Sequence, residues 1–286
     1  MSLMYIDACC DLSSDRLKTM SVEVVEQTYT LDSIHYTTNR NNKDDLIKVY
    51  AGLKEGRRLN THAIDQEKYA ELFSLALKQG EDILYIHSSA KINGSINNMY
   101  ESLVDLKNDY SRQSITTFDT KAISVQAGLI AYEGAVMHRR CDEDKKIVDA
   151  LKEVALHTAF YFVVDNLKNI DGTKLAQFQS ANNALIKPIF AVNDDGEVVN
   201  VGKAQGKKKA ILELVDKVKN LGENLADYPI AIVHANCEND ANLLKDKLLE
   251  LLGGEARIWI EEASPITVAH VGTGAIGVAF HAKKRI

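Results

Sequence analysis

Between the apolar run Ile83-Leu84-Tyr85-Ile86 and a helix-like pattern starting near Ile96, the chain places His87, Ser88, Ser89, Asn93, Gly94 and Ser95. Such a stretch reads as a buried strand delivering a loop of hydroxyl and amide groups to a helix N-terminus. A junction of this kind offers backbone N–H groups, hydroxyl donors and the positive end of a helix dipole, which together can hold a carboxylate or phosphate without a basic side chain. A small anionic group is therefore the expected ligand. Two further apolar runs also end in polar residues, at Asp7 and at Asp119-Thr120. In an open parallel sheet the carboxyl ends of the strands form the ligand crevice, which is expected to bring Asp7, Ser89, Asp119 and Thr120 together as site-lining residues.

The elements that must position these groups alternate in the first half between short apolar runs and longer helical patterns, the rhythm of a parallel sheet flanked by helices. Strands are predicted near Met4–Asp7, Ile83–His87 and Ile115–Phe118, with a further candidate at Val22–Leu31. Helices are predicted at Asp44–Lys54, Asp65–Lys78, Ile96–Leu106 and Ser124–Arg140, with Asn42 and Asp65 as caps and Gly56 and Gly80 as stops. The second half carries strand candidates at Ala159–Val164, Ile186–Val192, Val198–Val201, Ile230–Ala235, Arg257–Glu261, Ile266–His270 and Ile276–Ala282, and helices at Lys207–Leu221 and Asn239–Leu251. Asn193-Asp194-Asp195-Gly196 signals a hairpin between two of those strands. The expectation is an α/β protein: an N-terminal parallel α/β domain over residues 1–155, and a second domain over 156–286 whose sheet is mainly antiparallel and backed by helices.

At 286 residues and 45% hydrophobic composition the chain is long and apolar enough for two packed cores. A net charge of −6 argues against general attraction to nucleic acid. No run approaches the roughly 18 apolar residues of a membrane span, and no signal-peptide pattern opens the chain. Cys9, Cys10, Cys141 and Cys237 have neither a disulfide framework nor zinc-finger spacing, which points to the cytoplasm and to no bound metal or other cofactor. Cys9 and Cys10 read as small buried residues beside the first strand.

Gly272-Thr273-Gly274-Ala275-Ile276-Gly277 matches the dinucleotide fingerprint Gly-x-Gly-x-x-Gly. It is rejected, because the helix, second strand and acidic ribose ligand that the fingerprint requires have no room after it. A Gly-rich turn entering a last strand fits better, either as a tight hairpin or as a turn that also brings His270 to a ligand. A hydrolase or transferase acting on an acyl substrate is the alternative function, with Ser89 or Ser95 as nucleophile, His270 as base and Asp7 or Asp119 as orienter. No Gly-x-Ser-x-Gly elbow supports it. Lys207-Lys208-Lys209 at a helix start reads as a solvated face that could meet an acidic partner.

The order of these segments resembles the DegV family of bacterial fatty-acid-binding proteins, the lipid-binding subunits of the fatty acid kinase system, over nearly the full length. Asp7-Ala8-Cys9-Cys10-Asp11-Leu12 resembles the family's Asp-Ser-x-x-Asp-Leu opening, and Ser89 to Ser95 is similar to its Ser-x-x-Leu-Ser-Gly-Thr loop. Asn60-Thr61-His62-Ala63, Asp119-Thr120, Ile186-Lys187-Pro188-Ile189 with Asp195-Gly196, and Ala269-His270-Val271-Gly272-Thr273-Gly274-Ala275 match in the same order. The resemblance implies a carrier, not an enzyme, holding one long-chain fatty acid in an enclosed channel. By carry-over, Thr61 and Asn93 would hold the carboxylate, Gly94 and Ser95 would support it, and His270 would lie nearby. A neutral set of donors suits a ligand whose affinity comes mainly from its tail, at roughly 0.8 kcal/mol per buried methylene. The family's arginine-bearing segments, associated with a fatty acid kinase partner, read here as Leu167 to Lys174 and as Lys203-Ala204-Gln205-Gly206, without arginine. Lipid binding thus survives the comparison better than kinase partnership does.

Overall fold

The structure is a computed structural model and describes residues 2–39, 43–140, 142–165 and 185–286. The expected cap Asn42, Cys141 and the Leu167 to Lys174 segment lie outside the described residues. The first half runs β1 (Leu3–Asp7), a 3-10 turn (Ala8–Cys10), α1 (Ser14–Met20), β2 (Glu23–Val25), β3 (Thr28–Leu31), β4 (Ile34–Thr37), α2 (Lys43–Lys54), β5 (Leu59–His62), α3 (Gln66–Lys78), β6 (Ile83–His87), α4 (Ser95–Asp109), β7 (Ile115–Asp119), α5 (Ser124–Arg139) and α6 (Asp144–Leu156). Strands β2-β1-β6-β7 form a wholly parallel sheet. Alternation along β1 and β6 sends Tyr5, Ile83 and Tyr85 to one face, against Phe73 and Met99, and Met4, Ile6, Leu84 and Ile86 to the other, against Ile130 and Leu151. Both faces are covered by helices, which is why β6 is apolar along its length except for the terminal His87.

The single strand expected over Val22–Leu31 is two strands in different sheets. β2 extends the parallel sheet, and β3 pairs antiparallel with β4 and β5, Tyr29 facing Thr61. Glu26 and Gln27 make the crossing. The short elements β4, β5 and α1, and the 13-residue α6, were not expected from the sequence.

The second half runs β8 (Thr158–Val163), β9 (Ile186–Val192), β10 (Val198–Gln205), α7 (Lys207–Leu221), β11 (Ile230–His234), α8 (Glu238–Leu252), β12 (Ile258–Glu262), α9 (Pro265–Val271) and β13 (Ile276–His281). Its sheet, ordered β10-β9-β8-β13-β11-β12, is antiparallel at every pairing except β11 with β12. The Asn193–Gly196 turn joins β9 to β10 as expected, with Asn193 Oδ1 accepting the N–H groups of Asp195 and Glu197 and Gly196 at φ +79°. Tyr161, Val163 and Ile189 point toward α7 and α8. Phe160, Phe162 and Phe190 point the other way, into a core shared with Tyr29, Val49, Val125 and Leu129 of the first half.

One expected strand is a helix. Ile266–His270 lies in α9, where Ser264 Oγ accepts the Thr267 N–H as an N-cap and Pro265 occupies the first turn. Gly272 at φ +71° ends this helix and Gly274 at φ +80° starts the approach to β13, so the Gly-rich turn joins a helix to a strand and not two strands.

Candidate functional site

A cavity of about 370 Å³ opens between the two halves of the chain. Its size falls within the roughly 300–1,000 Å³ typical of small-molecule sites. Its polar wall comes from the first half: Thr61 and His62 at the end of β5, Gln27 at the β2–β3 crossing, and Asn93, Gly94 and Ser95 entering α4. The opposite wall is mainly apolar and comes from Ile123 before α5, Phe162 of β8, Val198 of β10, and Ile266 and Val271 of α9, with His270 at the end of that helix. A second space of about 30 Å³, bounded by Phe160, Phe162, Val233 and Gly277, continues toward the six-stranded sheet and shares Phe162 and Val271 with the larger one. A polar end thus leads to an apolar end.

Most of the N–H groups in the β6–α4 junction are engaged. Ser88 N–H donates to Asp7 Oδ2, Ser89 N–H to Ala122 O, Ala90 N–H to Asp119 Oδ2, and Asn93 N–H to Ser89 O. Asn93 folds back over the helix start, its Oδ1 accepting Ser95 N–H at 3.1 Å and its Nδ2 donating to Ser88 Oγ at 3.1 Å. Gly94 N–H has no partner among the described residues, and a Cβ placed on Gly94 would meet nothing within 4 Å. Ser95 Oγ accepts Ile64 N–H at 2.9 Å, leaving its own hydrogen available. The Thr61 hydroxyl likewise has no hydrogen bond among the described residues. Among the described residues, the free donors at the cavity's polar end thus include the Gly94 N–H and the Thr61 and Ser95 hydroxyls, all neutral.

Thr61, Asn93, Gly94, Ser95 and His270 all line this one cavity, although they are far apart in sequence. Asp7, Ser89, Asp119 and Thr120 do not line it; each is used in holding the junction. Asp7 accepts from Tyr85 OH, Ser88 N–H and Ser88 Oγ, and Ser89 Oγ donates to Gly196 O at 2.8 Å. Asp119 accepts the Lys121 N–H at 2.7 Å, and Thr120 Oγ1 donates to His87 O. Polar strand ends here build the loop that carries the donors. Gln27 and Cys9 are cavity residues that the sequence reading did not assign.

His270 and Cys9 both keep accessible area, yet burial lowers the His270 pKa and raises that of Cys9, the Asp7 carboxylate adding to the Cys9 shift. That accessible area is cavity wall, where the surrounding protein disfavours charge of either sign. Neither Ser89 nor Ser95 is hydrogen-bonded to His270, and the hydroxyl of Ser89 is committed to Gly196 O. The geometry required of a nucleophile and base is not formed.

Fold and site together define a two-domain α/β protein with an apolar cavity headed by neutral hydrogen-bond donors. The chain belongs to the DegV family: the family model, described as "Uncharacterised protein, DegV family", matches residues 4–283. A DegV domain-containing protein of Clostridium perfringens is 27% identical over 281 residues, spanning 97% of this chain and 96% of the relative. Among solved structures, a DegV family protein of Ruminococcus gnavus with vaccenic acid superposes with a TM-score of 0.83 at 23% identity, over 97% of this chain and 99% of that one. The Streptococcus pneumoniae Fatty Acid Kinase B3 protein loaded with linoleic acid gives 0.83 at 15% identity, over 99% of this chain and 100% of that one. No helix among the described residues is long and apolar enough to cross a membrane.

Proposed function

We propose that this protein binds one long-chain fatty acid as a carrier without catalysis of its own. The tail lies along the apolar wall toward Phe162, between a first domain of residues 1–155 and a second of 156–286. The carboxyl end meets Gly94 N–H and the hydroxyls of Thr61 and Ser95, with Asn93 shaping the loop and His270 facing them. The observation that carries this reading is the cavity itself: free neutral donors at one end and an apolar run at the other, in a family whose solved members include proteins holding vaccenic and linoleic acids. Burying roughly 15 methylenes contributes on the order of 10 kcal/mol, enough for tight retention without an ion pair. Delivery to a kinase is disfavoured, because Gln205 stands at the end of β10 where the resemblance expects an arginine.

Organic extraction of the denatured, purified protein followed by mass spectrometry tests it. About one fatty acid per chain is expected. Empty protein that also binds no long-chain acid by calorimetry or fluorescence displacement overturns it.

A further inference from the structure

We propose that the bound fatty acid is held as the neutral carboxylic acid, its O–H donated to Gln27 and its carbonyl oxygen accepting from Gly94 N–H and the Ser95 hydroxyl. This rests on the fatty-acid reading above and adds the protonation state of the ligand and the residue that selects it. Gln27 is 4% exposed and borders the cavity. Its Nε2 lies 3.5 Å from both Asn93 Oδ1 and Ser95 Oγ, the outer limit of a hydrogen bond, and its buried Oε1 has no partner. A buried amide held this loosely is incompletely satisfied. A half-turn about its last torsion brings Oε1 to the place of Nε2, beside Asn93 and Ser95, as an acceptor for an acid O–H. A carboxylate has no hydrogen to offer such an acceptor; a carboxylic acid has one.

The charges facing the site favour the same form. No lysine or arginine lines the cavity among the described residues. From the 3-10 turn comes Cys9; from β5, His62, whose Nε2 is paired with Thr30 Oγ1; from α9, His270. From β1, the Asp7 carboxylate stands behind Ser88, which Asn93 contacts directly. Asp11 stands behind the Ser124 and Thr267 hydroxyls on the far wall. The N-terminus of α4 supplies about half a positive charge, against the full negative charge of Asp7. A carboxylate leaving water for this site loses solvation, gains no counter-ion and meets a like charge, and each effect drives it to take up a proton. Cys9 and His270 report the same environment, both being shifted toward their neutral forms by burial.

The test loads the whole protein with palmitic acid labelled with ¹³C at the carboxyl carbon and follows the bound resonance from about pH 5 to pH 9, a range in which a carboxyl in water is ionised. The expected resonance stays at the neutral-acid position throughout, and calorimetry in buffers of different ionisation enthalpy shows about one proton taken up per acid bound. Apparent affinity then falls about tenfold per pH unit across this range, while that of the alcohol of equal chain length stays constant. Gln27→Glu keeps an acceptor for the acid O–H but would repel a bound carboxylate, so it should change acid binding at pH 8 less than threefold, and a loss of tenfold or more overturns the inference. A bound resonance at the carboxylate position, or proton uptake that appears on His270 and not on the ligand, overturns the inference while leaving fatty-acid binding intact. Absence of any bound resonance overturns the fatty-acid reading, and this inference with it.

Discussion

At the scale of single residues, the head of the cavity depends on a few neutral donors whose removal should be felt separately. Thr61→Ala and Asn93→Ala should each weaken fatty-acid binding by roughly 1–3 kcal/mol, measured by calorimetry on delipidated protein. The two losses have different origins. The Thr61 hydroxyl has no other hydrogen bond among the described residues, so its removal should leave the unfolding midpoint unchanged, whereas Asn93 braces Ser95 N–H and Ser88, so its removal should also lower stability. Unchanged acid affinity in both variants would place the head group elsewhere. The donor loop was legible in the sequence because small polar residues interrupt an apolar run just before a helix. Gln27 was not, because Val22–Leu31 reads as one continuous strand and only Glu26-Gln27 marks where the chain crosses from one sheet to another. Nor does sequence tell whether a strand-end aspartate meets ligand or its own surroundings, and here Asp7 and Asp119 hold the junction, Asp7 through Ser88 and Tyr85 and Asp119 through the Lys121 N–H.

At the scale of elements, the fully buried strands and most of the long amphipathic helices were readable from periodicity; α6, thirteen residues with Ile147, Leu151 and Ala155 on its buried face, was not. Ile266-Thr267-Val268 is β-branched and suggested a strand, but Ser264-Pro265 before it is a helix start, and tertiary contact with β5 and Asp11 holds the helix there. Strands β4 and β5 are short edge strands with half-exposed faces, too weakly patterned to be found. The β9–β10 turn supports the donor loop directly: a Cβ on Gly196, at φ +79°, would sit 2.4 Å from Ser89 Oγ. Gly196→Ala should therefore cost about 1–3 kcal/mol in chemical denaturation and loosen the β6–α4 junction. A variant as stable as wild type would show that the turn and the loop do not bear on each other. At the end of β11, burial lowers the pKa of His234, with Glu262 and Glu238 opposing the shift. Below the unfolded value of about 6.5 the unfolded chain binds the proton more readily, so stability falls as pH drops toward the lower folded value. His234→Gln should flatten that acid limb, seen as a smaller difference in denaturation midpoint between about pH 7.5 and pH 5.5.

At the scale of the whole molecule, a cavity walled by both halves keeps its shape only if the halves are fixed to each other. Asp11 of the first half accepts from Ser264 N–H and Thr267 Oγ1 of the second, and Glu261 of the second accepts from Arg16 and from Ser13 N–H of the first. Arg285, 2% exposed, adds a connection that composition and periodicity gave no hint of. Its guanidinium donates to Thr120 O and Lys121 O after β7, to Ala155 O near the end of α6, and to Asn193 O in the β9–β10 turn. A planar fork of donors is required to reach carbonyls on several sides at once, which lysine as a point charge cannot reproduce. Arg285→Ala leaves those carbonyls short of a charged donor and opens a void. It should cost at least about 3 kcal/mol by urea denaturation, with Arg285→Lys recovering only part. Because the same carbonyls border the strand ends behind the donor loop, fatty-acid dissociation should also quicken in both variants, measured by transfer to a fluorescent acceptor protein. Loss of stability with unchanged dissociation would mean that the halves hold the ligand independently of this staple.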